Sequence, residues 1–237
     1  MSFRIVPEVF DKLPELYIGA LVVKGIDNTK DYPQVTEFLD ECVQNLHRDL
    51  AGQKIKEHPF ILPFRGAFNA LGMNPNKFMP SIEALASRIE KGKGMPHINP
   101  IVDLGNAVSL KYTLPMGAHD LSAGSDDICV RLAREGDTFL PFGSTDEESP
   151  DAGEVVYAVG SQVRTRRWTW RQSERGKITE ETKAILFPID GFSDVNQEEV
   201  HKAADELIDL LHRYFGDGIQ IEVGYVSKEQ PRFEFFK

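Results

Sequence analysis

The longest apolar run in the chain, around Ile18 to Val23 within Y-I-G-A-L-V-V, has the length of one β-strand. A bilayer span needs about 18 apolar residues or more, so no segment here is predicted to cross a membrane. The run is rich in β-branched residues and is followed by the turn-forming G-I-D-N, which predicts a buried strand over 17–23. Such a strand must be covered by other elements, and the sequence supplies them. Val35, Phe38, Leu39, Cys42, Val43, Leu46 and Leu50 recur at spacings of three and four behind Pro33, and Gly52 follows, which predicts an amphipathic helix. A shorter helix is expected from Ser81, as N-cap, through Ile89, and it ends at K-G-K-G. A last helix is expected over about 197–215, with Asn196 and Glu199 at capping-box spacing.

Between these helices the pattern changes. Residues 61–80 hold Pro63, Gly66, Gly72, Pro75 and Pro80 and read as a structured loop with one short helical turn. Strands are expected at 107–116, 128–133, 138–142, 154–159, 163–170 and 184–190, and the chain closes on the alternating strand G-I-Q-I-E-V-G-Y-V. The acidic stretch S-T-D-E-E-S-P-D-A-G (144–153) reads as an exposed loop. Helices flanking a β-rich centre define an α+β fold.

With 41% apolar residues in 237, the chain can build a sizeable core, so overall disorder is excluded. Its 27 Lys+Arg stand against 37 Asp+Glu, a net charge of -10 that disfavours tight non-specific binding to nucleic acid. M-S-F-R-I-V-P-E lacks the basic and then apolar regions of a secretory signal. Cys42 and Cys129 fit reduced core thiols rather than a metal site. A soluble, cytoplasmic protein is expected. The nucleotide, dinucleotide, zinc-hydrolase and nucleophile-elbow motifs are all absent.

Two stretches stand out. His97 and His119 bracket a segment that gathers Asn99, Asp103, Asn106, Ser109 and Asp120 among apolar residues. Such polar groups must be hydrogen-bonded if buried, so they either brace turns or line a pocket for a small polar ligand. His47, His201 and His212 lie on helices, and His58 in a loop; these read as structural. The second stretch is V-R-T-R-R-W-T-W-R-Q-S-E-R-G-K. On a strand over 163–170, Arg164, Arg166, Trp168 and Trp170 share one face, opposite Val163, Thr165, Arg167 and Thr169. Arg171, Arg175 and Lys177 extend the charge. Guanidinium and indole together suit phosphate contacts and ring stacking, or else form a packed core with arginines over tryptophans.

The segment I-N-P-I-V-D-L-G-N-A-V-S-L…L-P-M-G-A-H-D resembles the B3 region of the bacterial phenylalanyl-tRNA synthetase β subunit. Ile98, Asn99, Pro100, Val102, Asp103, Asn106, Val108, Pro115, Met116, Ala118 and Asp120 carry the likeness. The R-E-G, E-V-V-Y-A and A-I-L-F-P-I-D-G-F strings fall where the B4 region continues, and free-standing B3/B4 proteins are similar over the whole length. The resemblance implies one B3/B4-like domain over 1–237, with a B3-like half to about 125 and a B4-like half from about 126. It implies a pocket between the halves that hydrolyses a wrongly attached amino acid from tRNA, with no cofactor and no metal. Residue by residue, Asn106 matches the pocket asparagine. Gly105 stands for a threonine, Gly117 for the pocket histidine, and Phe187-Pro188 for the pair whose glutamate reads the substrate side chain. Because alternate residues of an extended segment share a face, His119 can present its ring to the space Gly117 leaves. Asn106 and His119 are then the expected catalytic pair, aided by backbone amides near Gly117. Asn99, Asp103, Gly105, Gly117, Trp168, Trp170 and Gln172 would bind substrate. Arg164, Arg166, Arg167, Arg171, Arg175 and Lys177 would meet tRNA or aminoacyl-tRNA. A binding module without chemistry and a pocket for a free small molecule are the rivals; oligomeric state stays open.

Overall fold

The computed structural model describes residues 1–50, 52–122 and 127–236, so the expected boundary between halves near 125–126 lies outside the described residues. In chain order the first elements are β1 (Ser2–Ile5), α1 (Pro7–Phe10), β2 (Leu16–Lys24) and α2 (Pro33–Asp49). Three helices follow: α3 (Leu62–Ala70), α4 (Ser81–Glu90) and α5 (Pro100–Tyr112). Then come β3 (His119–Asp120), β4 (Ile128–Leu132), β5 (Val155–Val159), β6 (Gln162–Arg166) and β7 (Arg171–Gln172). The chain ends on β8 (Ala184–Phe192), α6 (Gln197–Phe215), β9 (Gln220–Val226) and β10 (Arg232–Glu234).

Two sheets result. One has six strands in the order β10-β1-β4-β5-β6-β7, the other four in the order β3-β8-β2-β9. All pairings are antiparallel except β1 with β4. β2, the strand expected from the apolar run, sits centrally between β8 and β9, and only Lys24 at its end escapes full burial. α6 packs across β2 and β8, α5 packs on α6, and α2 packs on α5. A single large core runs from Phe3 to Phe235, and a smaller cluster around Phe139, Val156 and Val163 lies apart from it. Among the described residues no helix is long and apolar enough to cross a membrane. Both cysteines are free and buried, and burial pushes the Cys42 thiol up to about 12.

Several local expectations are corrected. The segment 107–116 is not a strand, because α5 occupies 100–112. Asn99 caps this helix, its side chain accepting from the Val102 amide at 3.0 Å, and Pro100 opens the first turn. The helix is buried on nearly all sides, so it lacks the apolar stripe that marks a surface helix. The loop 61–80 contains the nine-residue α3. Residues 138–142 form isolated bridges and no strand. Pro80, not Ser81, precedes α4, and the Asn196 side chain accepts from the Phe192 amide at 2.7 Å instead of capping α6. The strand over 163–170 ends at Arg166. Arg167 and Trp168 turn left-handed, with φ of 47° and 60°, so the proposed alternation of faces stops there.

Candidate functional site

A cavity of about 70 Å³ opens at the seam where the two sheets meet. The six-stranded sheet contributes Tyr157, Thr165, Arg171 and Gln172, and the turn after β6 adds Trp168, Thr169 and Trp170. The four-stranded sheet contributes His119, Pro188 and Asp190, with Pro115, Met116 and Gly117 leading into β3 and Ser81 at the start of α4. At roughly 10–15 Å³ per water-sized sphere, the space admits a group of a few heavy atoms. Backbone and side-chain bonds fix the seam. Gln172 Nε2 donates to the Ala118 carbonyl at 2.7 Å, the Ser81 amide to Thr169 at 2.8 Å, and the Gly117 amide to Pro188 at 3.1 Å.

The left-handed pair Arg167–Trp168 is held from several directions. The Trp168 amide donates to Val155 at 2.6 Å and its indole Nε1 donates to Asp190 Oδ1 at 2.6 Å. Each such non-glycine residue costs on the order of 1–3 kcal/mol, so the surroundings must determine the conformation. The result places Trp168 wholly in the core against Phe64, Phe68 and Phe192, while Trp170 stays half-buried at the rim beside Phe78.

Several polar atoms of the lining residues are left without partners. His119 is 2% exposed, stacks on Tyr157 at 5.7 Å between ring centroids, and has a buried Nδ1 with no hydrogen bond. Burial, reinforced by the Arg164 guanidinium, pushes its pKa down to about 3, so the ring is neutral. A Cβ built on Gly117 would lie 3.3 Å from His119 Nε2 and 3.4 Å from Pro188 Cγ, so the histidine does face the space that glycine leaves. Thr169 Oγ1 is likewise buried and unpartnered. Asp190 is 3% exposed; Tyr157 and Trp168 both donate to its Oδ1 at 2.6 Å, while Oδ2 accepts from no described residue. Desolvation raises its carboxyl to about 7 despite those two bonds.

The other expected site residues lie elsewhere. Asn106 is half-buried on α5 and does not line the cavity. A Cβ built on Gly105 would lie 3.5 Å from the Phe187 ring, so this glycine packs α5 against β8. Asn99 caps α5, and Asp103 accepts from the Ile98 amide at 2.9 Å and faces His97 at 3.1 Å, so both brace the turn into the helix. The Gly117 amide is committed to Pro188, which removes it as a donor to a ligand.

The basic patch is corrected most. Arg164, Arg166 and Arg167 are buried. Arg166 makes a two-pronged pair with Glu154 at 2.9 and 3.0 Å and reaches Glu148 at 2.8 Å. Arg167 pairs with Asp151 at 2.6 Å and stacks over Phe78 at 4.0 Å. Arg175 pairs with Glu147, and Lys177 with Glu174. The acidic loop is exposed, as expected, and its Glu147, Glu148 and Asp151, with Glu154 just beyond it, pair with Arg175, Arg166 and Arg167. Arg164 is buried with an unpartnered Nε and no ion pair to a described residue. Of the six basic residues, Arg171 alone is exposed without an ion pair among the described residues, set against Trp170 at the cavity rim. Sequence reasoning missed Tyr157, Thr169 and Asp190. The one signal, and for Asp190 only, was a lone carboxylate inside the apolar strand I-L-F-P-I-D-G-F.

These features define an α+β domain whose two sheets enclose a small, aromatic-walled polar cavity. The family model of the B3/4 domain matches residues 64–216, more than half the chain and every residue of the cavity wall, and the chain belongs to that family. The phenylalanine–tRNA ligase β subunit of Thiobacillus denitrificans is 44% identical over 77 residues, covering 32% of this chain and 10% of the relative. Among solved structures, an N-terminal fragment of the phenylalanyl-tRNA synthetase β-subunit from Pyrococcus horikoshii matches with a TM-score of 0.50 and 11% identity, over 92% of this chain and 49% of that one. At that identity the likeness is one of fold. The chain thus spans a tenth of the curated relative it matches and about half of the solved fragment.

Proposed function

We propose that the cavity receives the amino acid of an aminoacyl-tRNA and that the chain, acting as one B3/B4 unit in the cytoplasm, hydrolyses the ester of a mischarged tRNA. The observation that supports this reading is the unpartnered Nδ1 of His119 and Oγ1 of Thr169, together with the one unbonded carboxyl oxygen of Asp190, on residues that line one small cavity inside the B3/4 match. Water would attack the ester carbonyl, the acyl–oxygen bond would break, and the proton would pass to the departing ribose oxygen. Neutral His119 would accept a hydrogen bond from that water and orient it. The free Thr169 hydroxyl is the donor available to the developing oxyanion. Arg171 and Trp170 at the rim would meet the acceptor end by charge and stacking.

A second reading is binding without chemistry. The low basicity of His119 favours it, since a ring pushed to about 3 is a weak base at neutral pH. Deacylation assays over a panel of mischarged tRNAs separate the two. Editing predicts turnover of at least one, with a loss on the order of 10²-fold or more in His119→Ala. Tight binding of aminoacyl-tRNA with no turnover on any member would leave the binding module, and no binding at all would sink both.

A further inference from the structure

Asp190 is a buried carboxylate with an open side. Its Oδ1 is satisfied by Tyr157 and Trp168, both neutral donors, and Oδ2 is left to the cavity. No lysine, arginine or histidine among the described residues forms an ion pair with it. That is unusual in this molecule, where the other strongly buried carboxylates each face a basic side chain, an arginine for Glu83, Asp137 and Glu154 and His97 for Asp103. A carboxylate taken out of water without a cation is costly, and the cost falls when a cation arrives. The walls beside it are Trp168 and Tyr157, which turn their donor edges to Oδ1, and the half-buried Trp170.

From this juxtaposition we propose that the cavity selects ligands by a primary ammonium group, with Asp190 Oδ2 as its counter-ion and the neighbouring aromatic rings as its walls. The proposal rests on the aminoacyl reading and deepens it. The α-ammonium of the amino acid is what Asp190 reads, and the short remaining space limits the side chain beside it. Burial holds the empty carboxyl near 7, and an ammonium on Oδ2 would favour its ionised form. The other titratable or charged groups lining the cavity are His119, which is neutral, Tyr157, which is held well above its usual range, and Arg171 at the rim. Among the described residues none of them forms an ion pair with Asp190.

The test uses the full chain and the carboxamides of L-alanine, L-serine, L-valine and L-phenylalanine, each as the free amine and as the N-acetyl form. Titration calorimetry should show that the unaltered protein binds the preferred amine at least about tenfold more tightly than its N-acetyl form, a difference of about 1.4 kcal/mol. Asp190→Asn, which keeps an acceptor for Tyr157 and Trp168, should lose that preference. Equal binding of amine and N-acetyl forms by the unaltered protein would overturn the proposal, and this comparison needs no variant to fold. Retention of the preference in Asp190→Asn would overturn it too. A fall in turnover that is the same for aminoacyl- and N-acetyl-aminoacyl-tRNA would mark Asp190 as a general base instead. Amine-selective binding with no deacylation of any charged tRNA would leave this inference standing while the editing reading failed. Deacylation without amine preference would do the reverse.

Discussion

At the scale of single residues, the cavity sets two titrations against each other. Asp190 is raised from 3.8 to about 7, so between those values the folded chain holds a proton that the unfolded chain has released. Stability therefore falls as pH rises through that window. His119 is lowered from 6.5 to about 3, so below 6.5 the unfolded chain binds a proton that the folded one refuses. Stability falls there as pH drops, and the two slopes oppose each other between about 4 and 6.5. Asp190→Asn removes one of them. It should be more stable than the unaltered protein above pH 7, by up to about 4 kcal/mol at 1.36 kcal/mol per unit. It should also show a steep acid loss that the parent lacks. Denaturant titrations from pH 4 to 8 measure both, and parallel curves for the two proteins would contradict the prediction. The Gly117–His119 approach was legible because a period of two governs any extended segment. Asp190 was not, because an isolated carboxylate at the end of an apolar strand looks the same whether it faces solvent or a cavity.

At the scale of elements, the acidic loop and the arginine run form one device. Arg166 and Glu154 are both nearly enclosed, with side chains 7% and 5% exposed. Removing one partner of such a pair leaves a buried charge and costs about 3–5 kcal/mol. Arg166→Met should therefore lower the unfolding free energy by about that much, and Arg171→Ala, at an exposed position, should change it by less than about 0.5 kcal/mol. Equal stabilities for the two variants would return Arg166 to the list of ligand contacts. Sequence alone showed both charge clusters but not that they meet, since their pairing depends on where the 144–153 loop folds back. The same divide runs through the secondary structure. α2 and α6 were legible because one face of each meets water, and β2 and β8 because they are apolar and β-branched. α5 was missed because burial on nearly every side erases periodicity, although Asn99-Pro100 spelled a helix start. The end of β6 was missed because nothing in Arg167 and Trp168 announces a left-handed turn; tertiary bonds impose it.

At the scale of the whole molecule, the net charge of -10 and the internal pairing of its arginines limit how it can hold RNA. Each phosphate neutralised contributes about -0.7 to -0.9 to the slope of log affinity against log salt. With Arg171 as the free cation at the cavity rim, the slope for aminoacyl-tRNA should be near -1 and should approach zero in Arg171→Ala. A slope of about -4 or steeper would show that a basic surface elsewhere carries the binding.

The strand order also has a consequence in time. β2, the most apolar strand, lies between β8 and β9, and β1 is flanked by β10, with Ser2 opposite Glu234. Neither sheet is complete until β9 and β10 are available. During synthesis β2 is made well before β8 and β9, and β1 well before β4 and β10. Pairings this distant in sequence slow folding and leave edges open to wrong association.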